Sequence, residues 1–247
     1  MLPPPPPIAP LSPSTDASAF HAFGTSHLII LGVCAAVLVL MVAVKLLGCR
    51  SLARSFEFAL GSLLFAIWPA TFFIHWHLGS LDLNKSLPLH FCDIAGFAGG
   101  IALWTHRQLA CEIVYFMGLA GTLQGLITPN LMVDYPDPRF FAFFLLHGGV
   151  VITALYVVTA MHHSPRPGAV QRQMKIALGY AAAVGVVNWV IGTNYAFLRH
   201  KPAQASLMNA MPEWPWYIGS LMLLALIFYT VLYLPFVILR RLRGQTL

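Results

Sequence analysis

Seven apolar segments occupy most of this sequence, and they constrain its fold more than any other feature. A membrane-spanning helix needs roughly 20 predominantly apolar residues, and most of the seven segments meet that length. They lie at about 27–47, 56–78, 88–104, 110–128, 139–160, 174–192 and 216–239. The third is short and only weakly apolar. The pattern predicts an all-α polytopic membrane protein, a bundle of about seven transmembrane helices.

Charge is scarce throughout the chain, which supports the same conclusion. Charged residues make up 9% of the 247 residues, against about 25% in an ordinary soluble domain. The mean hydropathy is +0.75. This composition excludes a soluble enzyme and a disordered protein. The net charge of +6 does not indicate nucleic-acid binding, because the basic residues lie at the ends of apolar segments rather than in one patch.

The N-terminal segment differs from the rest in composition. Seven of the first 13 residues are proline, which prevents a helix and favours extended, solvated chain. We therefore expect a disordered proline-rich tail over residues 1–25. Residues 26–247 are predicted to form a single transmembrane domain, since the segments between the apolar runs are too short for a second one.

The basic residues predict how the bundle is oriented. Four lie on the side of the second, fourth and sixth connections, namely Lys85, Arg139, Arg199 and Lys201. The other ten lie on the opposite side. Because cytoplasmic loops carry the excess of lysine and arginine, the N-terminus is predicted to be outside the cell and the C-terminus cytoplasmic.

Small residues predict one helix contact. Gly96 and Gly100 form a GxxxG pattern in the third segment, and Gly121 and Gly125 form another in the fourth. This spacing allows close approach of two helix backbones in a membrane. We expect the third and fourth helices to pack directly against each other.

Polar residues within the apolar segments concentrate in the predicted outer half. Such residues usually face the bundle interior or water, because exposure to lipid is costly. The residues are His90, Cys92, Asp93, Gln124, His147, Asn188, Asn194 and Tyr195. Their distribution predicts an amphipathic cavity that faces outward. His75 and His77 flank Trp76 and are predicted to be interfacial anchors.

Cys92 and a histidine form the constellation with the clearest chemistry. A thiol becomes a nucleophile when a nearby base favours the thiolate, and histidine is the usual partner. His90 lies about 200° around a helix from Cys92 and is a poor partner, whereas Asp93 could hold the His90 tautomer. His147 would approach from another helix. The structural alternatives are a small core cysteine, an interhelical hydrogen bond from His147, and a proton relay or ion site at Asp93.

Other chemistries find no support in the sequence. No P-loop, HExxH or GxSxG motif is present, and residues 217–239 contain no lysine that could bind retinal. The four cysteines lack metal-binding spacing, and no disulfide can be inferred. We therefore expect no cofactor and no metal ion.

Several motifs together resemble a known family. They are LPLHFCDIAG (87–96), GLAGTLQGLITPNL (118–131), YPDPRFFAFFLLHGGVV (135–151), NWVIGTNYAFLRHKP (188–202) and the segment 215–236. In this order they look like the YwaF-like family of bacterial integral membrane proteins. That family is similar to the eukaryotic transmembrane protein 164, described as a phospholipid acyltransferase that uses a cysteine and a histidine. It also looks like a remote relative of the androgen-induced-gene-1-like fatty-acid ester hydrolases, which use a threonine and a histidine.

The resemblance implies an activity and a location. The cysteine of its LPLHFCD motif is Cys92 and the histidine of its FFxxH motif is His147. It implies acyl transfer or lipid ester hydrolysis in a bacterial inner membrane, with membrane lipids as substrate and no nucleic-acid partner. Gln124, Asn194 and the amides near Cys92 are candidate oxyanion donors. A transporter or channel for a small solute or lipid, and a non-catalytic lipid-binding protein, are the alternatives.

Overall fold

The computed structural model describes residues 19–82, 86–202 and 207–244, and these residues are all-helical apart from their loops. Seven main helices confirm the predicted fold class. They are α1 (Thr25–Leu46), α2 (Arg50–His77), α3 (Phe91–Thr105), α4 (Gln108–Ile127), α5 (Pro138–Thr159), α6 (Ala169–Ile191) and α7 (Trp216–Leu242). Within α4, Gly118–Thr122 form one π-helical turn.

Six of these helices are long and apolar enough to cross a membrane, and α3 is the shorter exception with 15 residues. The chain is thus a multi-pass membrane protein. The predicted sidedness remains a prediction. Of the predicted N-terminal tail, residues 1–18 lie outside the described residues, and Phe20 packs against Phe140 and Phe144.

The short helix α3 lies in the middle of the bundle, packed against α2, α4 and α5. Its contact with α4 confirms the predicted pairing. Most of the glycines do not lie in this contact, however, but leave space for side chains of α2 and α5. Gly96 faces Leu146 of α5, and Gly100 faces the Phe65 ring of α2. In α4, Gly121 does face α3, since a Cβ there would lie 2.6 Å from the Phe91 ring.

One end of α3 is level with its neighbours and the other is recessed. Arg54, one turn into α2, donates hydrogen bonds of 2.7 and 2.6 Å to the carbonyls of Leu103 and Trp104 at the end of α3. Because α3 has 15 residues and α5 has 22, α3 is shorter by about 10 Å. We call the end at which α1, α3, α5 and α7 begin the cavity end, and the opposite one the far end.

A buried glutamate joins four helices at the far end. Glu57 of α2 is fully buried, and its carboxylate pairs with Lys45 of α1 at 2.7 Å and Arg54 at 3.2 Å. It also lies 2.8 Å from the ring of His106, directly after α3, and accepts a 2.9 Å hydrogen bond from Tyr156 of α5. These partners offset the desolvation of the carboxylate, which would otherwise exclude it from this position.

A second buried glutamate explains why α6 begins before its apolar segment. Glu112 of α4 accepts hydrogen bonds of 2.9 Å from Arg166 in the α5–α6 loop and from Arg172 in the first turn of α6. The prediction placed the start of this helix near residue 174, whereas it begins at Ala169. The pair of Arg172 with Glu112 ties this polar first turn to α4.

The Glu57 cluster gives a test of this arrangement. Replacing Glu57 by Gln removes the charge that three cationic or protonatable side chains share, and we expect a loss of about 1–3 kcal/mol in the free energy of unfolding. The magnitude is moderate because Lys45 and Arg54 retain solvent contact. A thermal melt of purified protein in detergent measures the change. Glu213→Gln is the control: that carboxylate is 90% exposed in its pair with Lys201, so its melting temperature should stay near wild type.

Candidate functional site

A cavity of about 850 Å³ occupies the cavity end of the bundle, above the recessed start of α3. Its walls come from the last turns of α2, the first three turns of α5 and the three loops that follow α2, α4 and α6. It reaches the surface at Met132, a lining residue that is 72% exposed. The lining is mainly apolar. Its polar side chains are Thr71, His75, Asp82, His90, Asp93, Asn130, Arg139, His147, Asn194, His200 and Lys201.

One face of α5 supplies a continuous wall. The lining residues are Arg139, Ala142, Phe143, Leu146 and His147. Their spacing of three and four residues places them on a single stripe of the helix. The stripe runs from a cation at the helix start to a histidine two turns deeper, with apolar side chains between them.

His147 is held in one tautomer. Its Nδ1 lies 2.8 Å from the carbonyl oxygen of Phe143, one turn earlier, so Nδ1 carries the hydrogen of this bond. In the neutral ring the lone pair is then on Nε2, for which the described residues supply no hydrogen-bond partner. The ring stacks on Phe143 at 4.0 Å between centroids, and its Cδ2–Nε2 edge lies against Gly125 of α4, where an added Cβ would be 2.8 Å from Cδ2 and 3.0 Å from Nε2. An oriented, unprotonated nitrogen of this kind is suited to accept a proton.

His90 and Asp93 lie at the start of α3 and line the cavity. The Asp93 carboxylate accepts a 3.0 Å hydrogen bond from the backbone N–H of His90, so it caps the helix. The His90 ring packs edge-on against Tyr195 at 5.0 Å and lies within electrostatic range of His147. Asp93 therefore has a structural role at the backbone of His90 in addition to its place on the cavity wall.

Cys92 is half-buried and is not among the cavity-lining residues. No hydrogen bond joins its sulfur to His147 among the described residues. The helix register nevertheless puts the two at similar depth. Gly96 faces Leu146 and Val150, and α3 and α5 run in the same direction. Cys92, one turn before Gly96, is thus level with the turn of α5 that precedes Leu146, toward which the His147 side chain leans.

Three of the predicted residues shape the loop after α6. Asn188 is fully buried, donates a 2.9 Å hydrogen bond to the Tyr195 carbonyl and accepts from the Tyr195 N–H and the Thr193 hydroxyl. The Tyr195 hydroxyl accepts from the N–H of Leu87 at 2.9 Å. Asn194 lines the cavity, and its side chain bonds to the backbone of Arg199 and His200. Asn188 and Tyr195 therefore support the cavity wall without lining it.

Two further predictions meet a different environment. Gln124 is exposed and lies outside the lining, so it does not present an amide to this cavity. The predicted anchor pair separates: His77 is exposed and stacks on Phe73, whereas His75 lines the cavity and bonds to Ser80 at 2.9 Å. The pair separates because successive odd positions lie about 200° apart on a helix.

The sequence reasoning missed two cationic residues of the lining, Arg139 and Lys201. In the sequence, both residues indicate only the orientation of the bundle. The signal for Arg139 was available, since Arg139, Phe143 and His147 follow at intervals of four residues. No comparable pattern marks Lys201, which reaches the cavity from a loop.

The described ranges contain no group of three His, Cys, Asp or Glu side chains that could hold a metal ion. All four cysteines, each within those ranges, are free thiols.

Gly125, which lies against the His147 ring, provides a test of this packing. A Cβ at position 125 would lie 2.8 Å from the His147 ring, so Gly125→Ala must displace the imidazole. We expect it to lower the free energy of unfolding by about 1–3 kcal/mol, seen as a lower melting temperature in detergent. Gly185→Ala is the matched control, because nothing lies within 4 Å of its Cβ and alanine favours the helix. Equal melting temperatures for the two variants would contradict the described position of the ring.

The Asn188 contacts give a second test. Asn188→Ala leaves the buried N–H and carbonyl of Tyr195 without their partners, at a cost of about 2 kcal/mol. The loop that carries Asn194 and Lys201 should then become more accessible, which limited proteolysis of residues 192–202 measures. Asn130→Ala, at an exposed position in another loop, should leave the cleavage rate of 192–202 unchanged.

Comparison with known proteins agrees with this architecture. Residues 22–233 match the TMEM164 family, a span that begins just before α1 and ends within α7. The curated proteins and the solved structures contain no match to the chain. Since the match covers most of the sequence, including the cavity and every residue discussed above as a site candidate, the chain belongs to the TMEM164 family.

Proposed function

We propose that this protein transfers an acyl group from a membrane lipid, or hydrolyses a lipid ester, with Cys92 as the nucleophile and His147 as the base. The observation that carries the proposal is the state of His147. Its Nδ1–H is fixed by Phe143, its Nε2 has no hydrogen-bond partner among the described residues, and the side chain lines an amphipathic cavity. Family membership supports the proposal by placing the chain among the TMEM164 proteins.

Cys92 is suited to nucleophilic attack by its place in α3. It is the second residue of the helix, where the N–H groups of the first turn have no preceding helical carbonyl to bind. Their partial positive charge favours a thiolate, and it acts against burial of the sulfur and the neighbouring Asp93 carboxylate, which both favour the neutral thiol. The same amides, those of Phe91 and Cys92, are the donors we propose for the oxyanion. Asn194 stands further along the wall, with its amide bonded to His200.

Cys92 and His147 are related through α4. The Phe91 ring covers Gly121, and the His147 ring covers Gly125, one turn further along the same face. Cys92, the residue after Phe91, therefore lies at a similar level of the bundle, and its side chain leaves α3 about 100° around the helix from that of Phe91. In our proposal a change of the Cys92 rotamer, a motion of picoseconds to nanoseconds at accessible positions, brings the sulfur to Nε2 when an ester occupies the cavity.

The proposed reaction has two steps that balance in atoms and charge. Nε2 of His147 takes the thiol proton, and the sulfur attacks the ester carbonyl carbon. The tetrahedral intermediate then breaks its carbon–oxygen bond, and the leaving alkoxide takes the proton back from Nε2, which leaves a thioester on Cys92. In the second step a lipid hydroxyl or water gives its proton to His147 and attacks the thioester. The thiolate leaves and is reprotonated by the imidazolium.

The location follows the predicted orientation. With the N-terminus outside, the cavity end faces the outer leaflet of the bacterial plasma membrane, and lipids of that leaflet are the proposed substrates. Transfer and hydrolysis share the first step and differ only in the acceptor, so both follow from the same site.

A covalent intermediate is the decisive prediction. Purified protein incubated with a diacyl phospholipid should carry one acyl mass on the peptide that contains Cys92, detected by mass spectrometry of the intact protein and its digest. Cys92→Ala should abolish both the adduct and turnover. His147→Gln should lower turnover by roughly 10²–10⁴-fold, the range for loss of a general base.

Cys49→Ala is the control, because Cys49 is exposed at the far end and its loss should change neither adduct nor turnover. Full acyl transfer by Cys92→Ala, with an adduct still formed, would refute the mechanism. Turnover lost in His147→Gln but kept in Cys92→Ala would show instead that His147 activates water directly.

A further inference from the structure

Arg139 lies at the start of the cavity-lining stripe of α5, and Lys201 lies on the wall formed by the loop after α6. We infer that these two side chains form an anion subsite, which binds a phosphate group of the lipid whose ester is placed at His147. The inference rests on the proposed function only for the position of the ester. The subsite itself is argued from geometry and charge.

The first argument is the spacing along α5. Arg139 and His147 are eight residues apart on one face of the helix, a separation of about 12 Å along the axis. Between them the wall is apolar. A lipid with an anionic group a few bonds from its ester can therefore contact the guanidinium and the imidazole at once.

The second argument is the orientation of Arg139. Its Nε and Nη2 donate to Asp137 at 2.9 and 2.7 Å, and Asp137 is the N-cap of α5 with a buried carboxylate. The Arg139 guanidinium holds the pKa of the Asp137 carboxyl below its usual range. The pair is therefore fixed as an ion pair, and Nη1 has no hydrogen-bond partner among the described residues. A guanidinium held on one edge presents the other edge to a ligand at little entropic cost.

The third argument is the weak neutralisation of Lys201. Its side chain is 17% exposed, yet the carboxylate that it pairs with, Glu213, is 90% exposed. A carboxylate so well solvated offsets little of a buried ammonium's charge. Lys201 also donates to the Met211 carbonyl at 2.8 Å. The lining also contains two acidic residues, Asp82 in the loop after α2 and Asp93 in the first turn of α3.

A matched pair of lipids tests the subsite. Lysophosphatidic acid and the monoacylglycerol of the same chain length differ only by the phosphate. Their binding to purified full-length Cys92→Ala protein, in which no thioester can form on that residue, is measured by native mass spectrometry. We expect the parent to prefer the phosphate-bearing lipid. Adding Arg139→Gln should lower the affinity for the phosphate-bearing lipid about tenfold, as the loss of a charge-assisted hydrogen bond predicts. The affinity for the monoacylglycerol should change by less than about twofold.

Lys201→Gln should act in the same direction. Arg107→Gln, an exposed arginine at the far end, removes the same charge and should change neither affinity. Arg139→Lys retains the charge and should recover part of the preference, which shows that a weak Arg139→Gln variant is not simply misfolded. Melting temperatures are recorded for each variant.

Three results would overturn the inference. The parent protein could bind both lipids equally, or Arg139→Gln could weaken both equally, which would make Arg139 structural. Inorganic phosphate could bind as tightly as the phosphate-bearing lipid and displace it, which would make this a site for free anions. Binding requires no acyl adduct, so a phosphate preference that depends on Arg139 would stand even if Cys92 proved unreactive.

Discussion

The Glu57 carboxylate is the interaction on which the position of the cavity depends. In a bundle built for lipid, a buried charge persists only where partners surround it, and Glu57 finds them on α1, α2, the end of α3 and α5. Arg54 extends the same cluster to the final carbonyls of α3. The cluster thus fixes where α3 ends, and the length of α3 then decides where it begins.

The recess above the start of α3 follows from the length of this helix. Fifteen residues carry the helix about 22 Å from its anchored end, less than the roughly 30 Å of a bilayer core. The neighbours α2 and α5 continue past its start, and the space left between them is the cavity. His90 and Asp93 line the base of this space because they lie at the start of a helix that begins late, and Cys92 lies between them in the sequence, outside the lining. The polar residues at the start of α3 both lower the hydropathy of this segment and line the base of the cavity.

The fold was largely predictable, because apolar length and helix period are local properties of the sequence. The start of α6 was not, since its polar first turn contacts another helix, through the pair of Arg172 with Glu112, and carries no apolar signal of its own. The candidate site was predictable in part. His147, His90, Asp93 and Asn194 do line one cavity, as their clustering in the outer half predicted. The exposure of Gln124 and the supporting role of Asn188 could not be read from composition, because the direction of a side chain depends on how each helix is rotated against its neighbours. Lys201 lay beyond prediction because a loop carries it.

The arrangement of polar groups along the bundle favours chemistry at one end over passage through it. The cavity ends at His147 and the first turn of α3. Below that level Gly99 of α3 packs against Leu64, Val114 and the γ-methyl group of Thr153. The Thr153 hydroxyl donates a hydrogen bond to the carbonyl of Gly149 within α5. The glutamates at the far end are enclosed by their own cations. A transporter needs a polar route that joins the two ends in turn, and here the close packing of α3 separates them. A cavity open at one end, with His147 at its closed end, is instead the arrangement that the proposed acyl transfer requires.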